Sequence, residues 1–216
     1  MLKETLSKKK KIKTAIIGLG NVGLLYDLDN KDILTHSKSV FSNKNLELKF
    51  GIDLNKDKRK WFEKKYKLKT YASLKNNSNF EDIELLIISS STNSHLNIIR
   101  KIPNKNKLKY IILEKPGGKN YSELLEIVHF CKKNKIYLSI NYIRDFLEDF
   151  ESLKKMIKKT KNKKILCWYS KGMLNNCSHM INFMLSIFGW PTKITTLGRY
   201  KNFSNEIDFD FKISYK

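Results

Sequence analysis

Short apolar runs alternate with charged, amphipathic stretches along the first two thirds of the chain. Thr14-Ala15-Ile16-Ile17, Leu85-Leu86-Ile87-Ile88 and Tyr110-Ile111-Ile112-Leu113 place apolar side chains at successive positions, as strands buried on both faces do. This pattern predicts strands near 12–17, 47–52, 69–72, 84–89, 109–113 and 136–141. Helices are predicted between them: one opening at Asn21, one over Lys56 to Tyr66, one over His95 to Lys101 and one over Ser122 to Lys133. In the last of these, Leu124, Leu125, Ile127, Val128 and Cys131 fall on one side, with Glu123, Glu126, Lys132 and Lys133 mostly opposite, the pattern of a helix lying on a sheet. Strand and helix in alternation imply parallel strands joined by crossover helices.

After Asn141 the character changes. A helix over Phe146 to Lys159 leads into an apolar strand, Ile165 to Tyr169, then a helix from about Ser178 to Phe188 ended by Gly189 and Pro191. Two further runs, Lys193 to Tyr200 and Ile207 to Tyr215, alternate with period two as antiparallel strands do. The expected fold class is α/β: a doubly wound parallel sheet (Rossmann) over residues 1–143, followed by a partial α+β domain over 144–216 with an open antiparallel sheet. That sheet is expected to be incomplete at Lys216, so the second region reads as an incomplete substrate and oligomerisation domain.

Composition narrows the function classes. With 216 residues, 41% of them apolar and 12% aromatic, and only three prolines, the chain is globular and long enough to bury a sizeable core. Its formal charge of +22 raises the question of nucleic acid. The basic residues, however, are 39 lysines and four arginines spread along the whole length, whereas base and phosphate recognition leans on the arginine fork. A solvated lysine-rich surface is therefore the reading, with no nucleic-acid partner, and the dense cluster Lys8 to Lys13 is read as a loose tail. The apolar runs are strand-sized, far short of the ~20 residues of a spanning helix, and the N-terminus lacks a secretory signal, so a cytoplasmic protein with no membrane partner is expected. Cys131, Cys167 and Cys177 form no CxxC pair and no metal-ligand spacing with the four histidines. No metal site is expected, and Cys131 and Cys167 are read as small core residues.

The chemistry begins at Gly18-Leu19-Gly20-Asn21-Val22-Gly23, directly after the first strand. In a dinucleotide-binding turn Gly18 permits the bend, Gly20 lets the backbone approach the pyrophosphate, and Gly23 lets the following helix pack closely, its N-terminus facing the anion. A plain tight turn is the alternative. Asp53 ends the second strand, where a carboxylate accepts from ribose hydroxyls and repels a 2′-phosphate, pointing to NAD rather than NADP; a helix-capping acid is the other reading. The extra length before it is assigned to an insertion, Asp27 to Ser42, after the first helix. Ser91, Thr92, Asn93 and His95 follow the fourth strand, and Glu114, Lys115 and Pro116 the fifth, on the edge where open parallel sheets place ligands. Tyr142 and Arg144, just past the sixth strand, are candidates for the substrate. Arg144 suits a carboxylate or phosphate, or a salt link between domains. His36 and His129 are expected to face solvent.

GLGNVG, the Asp after the second strand, STNSH, LEKPGG and NYIRDF, in this order, together with Gly172, Ser178-His179 and Gly189-Trp190-Pro191, resemble the Gfo/Idh/MocA family of NAD(P)-dependent, mostly sugar-acting oxidoreductases over residues 12 to 190. Thr35-His36-Ser37-Lys38 resembles a branch associated with surface-polysaccharide sugars. The resemblance implies hydride transfer between a nicotinamide and a sugar or nucleotide-sugar alcohol or ketone, with Lys115 near the nicotinamide and the reacting oxygen. It also implies His179 as proton carrier or substrate-orienting group, and a homo-oligomer once the second domain is complete. The family commonly has an aspartate where this chain has Asn175, which can bind a hydroxyl but cannot exchange a proton near neutral pH. An acid is frequent where Asn182 stands, and a small residue where Cys177 stands. The catalytic set implied is Lys115, His179 and Asn175, and the alternative is a non-catalytic or truncated NAD-binding protein.

Overall fold

The computed structural model describes residues 10–74, 78–103, 106–161, 164–170, 172–200 and 208–215. Part of the Lys8 to Lys13 cluster and the start of the last predicted strand, at Ile207, lie outside them. The chain divides into two compact units, Met1–Asn141 and Tyr142–Lys216.

The first unit is built on six parallel strands: β1 (Ile12–Ile17), β2 (Leu46–Ile52), β3 (Thr70–Tyr71), β4 (Leu85–Ile88), β5 (Tyr110–Glu114) and β6 (Tyr137–Asn141). Their spatial order is β3-β2-β1-β4-β5-β6, so successive crossovers run outward from β1 in one direction and from β4 in the other. The change of direction leaves a crevice beyond the carboxyl ends of β1 and β4, where doubly wound sheets hold their ligands. Helices α1 (His36–Ser42), α2 (Lys56–Tyr66), α3 (His95–Arg100) and α4 (Tyr121–Lys133) join the strands.

Alternate strand residues feed two cores. Ala15, Ile17, Phe50, Ile52, Leu86, Ile88, Ile111 and Leu113 pack with Ile99 of α3 and with Ile127 and Cys131 of α4. Ile16, Leu48, Leu85 and Ile87 point the other way, to Val40 of α1 and to Phe62 and Tyr66 of α2. This two-sided burial is why the strands read as near-continuous apolar runs. Side chains cap the helices: Asn55 accepts from the amides of Asp57 and Lys58 ahead of α2, and Asn120 from that of Glu123 ahead of α4.

The first connection departs from expectation. No α-helix opens at Asn21; the chain makes one wide turn, in which the Gly20 carbonyl accepts from both Leu24 and Leu25 and the Asn21 carbonyl from Tyr26, followed by a short 3-10 turn, Leu25–Asp27. The helix of this crossover is α1, which lies inside the stretch taken for an insertion. Short polar side chains break the helix by binding backbone themselves. Asn30 accepts from the Asp32 amide, and Asp27, fully buried, accepts from the amides of Leu34 and Thr35 and from the Thr35 hydroxyl, at 2.7, 2.7 and 2.9 Å.

The second unit contains α5 (Glu148–Lys159), a five-residue π-type turn (Met173–Cys177), α6 (Ser178–Phe188) and an antiparallel pair, β7 (Lys193–Tyr200) and β8 (Asp208–Ser214). Phe183 of α6 is buried and meets Phe150 of α5 edge to face, with ring centroids 4.9 Å apart. The strand expected over Ile165 to Tyr169 does not form: among the described residues no strand pairs with it, and Leu166 and Trp168 are exposed. Apolar composition alone does not make a strand without a ladder partner. Cys167 is accordingly exposed rather than part of a core, whereas Cys131 and Cys177 are buried. Among the described residues no helix is long and apolar enough to cross a membrane, and no cluster of His, Cys, Asp or Glu is disposed to hold a metal ion.

Candidate functional site

The three glycines of the turn after β1 stand under different constraints. Gly18 has φ +94°, and a Cβ there would come within 2.4 Å of the Ser90 amide nitrogen at the end of β4. A Cβ on Gly23 would lie 2.0 Å from the Gly18 carbonyl oxygen. Packing within the protein therefore demands glycine at both positions. At Gly20 the nearest atom to a Cβ would be Lys58 Nζ, 3.9 Å away, so nothing in the protein requires glycine there. The open space suits a ligand lying against the backbone, as a dinucleotide pyrophosphate does, and the residues present fit that group. Because the chain forms only a turn here, the turn presents its own backbone at Asn21 and Val22, and no α-helix N-terminus.

Asp53 serves the turn directly. Its Oδ2 accepts from the Leu19 amide at 2.7 Å and its Oδ1 from the Asn55 amide at 2.8 Å. A carboxylate has about four acceptor positions, so both oxygens retain capacity for ribose hydroxyls. Asp53 thus braces the glycine turn and the approach to α2, while the cap of α2 itself is Asn55, which corrects the helix-capping reading. Lys58 and Arg59 follow on α2, Arg59 donating to the carbonyls of Asp53 and Leu54.

Beyond β4, Ser89 fastens the crevice by donating to the Gly18 carbonyl at 2.7 Å. Ser91 and Asn93 are exposed and Thr92 half-buried, in a single 3-10 turn. His95 is fully buried, with Nε2 3.1 Å from the Ser90 carbonyl and Nδ1 3.4 Å from that of Gly117. It is therefore packed between the turns after β4 and β5, the neutral ring donating to one of the two carbonyls, rather than facing a cofactor. Burial pushes its pKa down, against the opposing pull of the two carbonyls.

At the end of β5, Glu114, Lys115 and Pro116 are half-buried and the Lys115–Pro116 peptide is cis. Glu114 Oε1 accepts from His36 Nε2 at 2.8 Å and Asn141 Nδ2 at 2.7 Å, and Oε2 from the Lys115 amide at 3.3 Å. Burial alone would raise this carboxyl, but the bonds from His36 and Asn141 outweigh it and hold the group below the ordinary range. The expectation that His36 faces solvent is corrected: its side chain is 16% exposed and paired with Glu114. The partners lie 78 positions apart in the chain, so only the fold could reveal them; the local sign was a histidine just after a helix-capping threonine.

In the second unit, Tyr142 and His179 meet edge to face at 5.5 Å, and His179 is buried at the start of α6. Burial raises the Tyr142 phenol, a hydrogen bond with Ser178 lowers it, and nearby Asp145 raises it again. Arg144 donates to Asn176 Oδ1 at 3.2 Å and approaches Met180 Sδ at 3.7 Å. Among the described residues of its own unit it has no carboxylate partner. Asn175 lies in the π-type turn and is exposed. Asn182 donates to Asp145 Oδ2, which returns a carboxylate to the position where Asn replaces an acid.

The family described as "Oxidoreductase family, NAD-binding Rossmann fold" matches residues 12–142. The chain belongs to this family. Its fold recurs in solved structures such as a protein from Klebsiella pneumoniae assigned as an oxidoreductase (TM-score 0.74, 18% identity, 95% of this chain and 59% of that one). Others are myo-inositol 2-dehydrogenase from Lactobacillus plantarum (0.69, 19%, 87% and 60%) and scyllo-inositol dehydrogenase from Lactobacillus casei, solved with NAD(H) and scyllo-inositol (0.67, 16%, 89% and 61%). No curated protein matches by sequence. The chain spans about three fifths of the length of these solved proteins. In the first unit the open position at Gly20, the braced Asp53 and the half-buried Lys115 all lie at the carboxyl ends of β1, β2 and β5.

Proposed function

We propose that the protein is an NAD-dependent oxidoreductase that moves hydride between the nicotinamide and a sugar-like or polyol alcohol or ketone. The observation that carries this reading is the contrast within the glycine turn: Gly18 and Gly23 are forced by packing, while Gly20 leaves open space that suits a phosphate lying against the backbone. The inositol dehydrogenases among the solved relatives support a polyhydroxylated substrate. When bound, the cofactor supplies the hydride acceptor or donor. The Gly18–Gly23 backbone holds its phosphates, with Lys58 alongside. Asp53 takes the ribose and disfavours a 2′-phosphate, so NAD binds better than NADP.

Lys115 gives the substrate oxygen a cation, offsetting the charge that develops as its proton leaves or arrives. His179 takes or returns that proton, and Asn175 orients a neighbouring hydroxyl without titrating. Tyr142 and Arg144 bind the substrate, Arg144 meeting an anionic group such as the phosphate of a nucleotide sugar in surface-polysaccharide synthesis. Exposed Trp190, Ile194 and Leu197 around the β7–β8 sheet support association with further copies.

NAD, NADP and their reduced forms should be titrated by calorimetry, and a panel of polyols and nucleotide sugars then followed at the nicotinamide absorbance. The expected result is saturable NAD binding, weaker NADP binding and turnover of at least one class. Lys115→Met should abolish turnover while leaving NAD affinity within about three-fold, under ~0.7 kcal/mol; retained turnover overturns the assignment. Asn175 favours a second reading, a protein that binds NAD without catalysis. NAD binding with no turnover in the native chain, and turnover appearing in Asn175→Asp, would establish it.

A further inference from the structure

The segment from Asp27 to Ser37 touches two parts of the candidate site at once. The His36 amide donates to the Val22 carbonyl at 2.9 Å, and the amide and hydroxyl of Ser37 donate to the Gly23 carbonyl at 3.1 and 2.5 Å. The first two residues of α1 therefore hang on the glycine turn. The His36 imidazole reaches in another direction, to Glu114 Oε1 on β5, while Oε2 of that carboxylate accepts from the Lys115 amide. Glu114 is ionised near neutral pH and only accepts, so the imidazole carries its proton on Nε2. Strand β4 separates β1 from β5 in the sheet, and this one side chain spans the gap. Its entry is fixed from behind, since Thr35 accepts from the Lys38 amide and donates its hydroxyl to buried Asp27.

We infer that His36 is a positioning residue that transmits occupancy of the Gly18–Gly23 turn to Glu114 and thereby to the backbone of Lys115. The inference rests on the reading of that turn as a nucleotide site. A ligand seated against Gly20, Asn21 and Val22 shifts the turn to whose carbonyls α1 is fastened, and the hydrogen bond between two half-buried groups passes the shift on to the carboxylate.

ADP is the probe, because it offers a pyrophosphate to the turn and has no nicotinamide to touch Lys115. Amide spectra of the full 15N-labelled chain are recorded through an ADP titration. In the native protein the Gly23 and Lys115 amides should shift together. His36→Ala should keep the Gly23 response and lose that of Lys115, and His36→Gln, whose amide nitrogen can still donate to Glu114, should restore it. If the alanine variant does not fold, His36→Leu, which keeps bulk without a donor, takes its place. A Lys115 amide unmoved by ADP in the native chain, or one that responds equally without a donor at position 36, overturns the inference while leaving the nucleotide site standing. No saturable response at Gly23 overturns the nucleotide reading and the inference with it.

Discussion

Substituting the glycines separately divides what the turn does for the fold from what it does for a ligand. A Cβ at Gly23 meets a carbonyl oxygen at 2.0 Å, and backbone cannot yield as a flexible side chain would, so Gly23→Ala should cost several kcal/mol, at or beyond the ~3 kcal/mol upper end of ordinary overpacking. Gly20→Ala should leave stability unchanged or raise it by ~0.4–1 kcal/mol, because alanine restricts the unfolded chain. It should also weaken NAD binding by on the order of ten-fold or more, since the methyl occupies the approach of the phosphates. Urea denaturation and NAD titration of the two variants measure both effects. At this scale the sequence was most legible where a residue's role is local. The glycines, Asp53 and the capping asparagines announce themselves through their neighbours in the chain. The pairs His36–Glu114 and Asn182–Asp145 do not, because each joins residues that only the folded chain brings together.

Elements were legible where apolar periodicity was long or flanked by caps: α2 was expected from Lys56 to Tyr66 and is found there. The crossover after β1 was misread because the glycine motif suggested a helix at once, whereas Asp27 and Asn30 capture the backbone and delay it to His36. Asp27→Ala would leave two amides and a hydroxyl without their acceptor, at a cost of about 1–3 kcal/mol for each group that stays buried, read as a lowered urea midpoint. His95 makes the joint between the turns after β4 and β5 sensitive to acid. Its pKa is lower in the folded protein than the ~6.5 of the unfolded chain, so folding favours the neutral ring. Stability should be full above about pH 6.5 and fall as the pH drops toward the folded value. Urea midpoints at pH 8, 6.5 and 5 should show this decline, and His95→Gln should flatten it.

Over the whole molecule, apolar burial is uneven. Both large cores lie in Met1–Asn141, while in the second unit Cys177 and Phe183 are the apolar side chains buried among the described residues, and Phe146, Met156, Trp168 and Trp190 are exposed. A fragment of residues 1–141 should therefore unfold cooperatively and retain ADP affinity, and residues 142–216 alone should bind a hydrophobic dye and associate; denaturation with calorimetry and dye fluorescence with sedimentation test the two. The parallel sheet was legible because its strands are buried on both faces, and the stretch Ile165 to Tyr169 was not, because a strand depends on a partner that composition cannot name. One carboxylate also gives the chain a place where it can be lengthened at little cost. Asp27 holds the amides of Leu34 and Thr35 against itself and Leu28 packs on the core, so Asp29 to Ile33 form an exposed loop whose two ends are fixed. Doubling the length of such a loop adds only ~0.6 kcal/mol of closure entropy. Foreign segments of varied size spliced between Asp29 and Asp32 should thus be carried beside the candidate cofactor site without unsettling the sheet, which makes this loop a natural port for grafting new recognition onto an old scaffold.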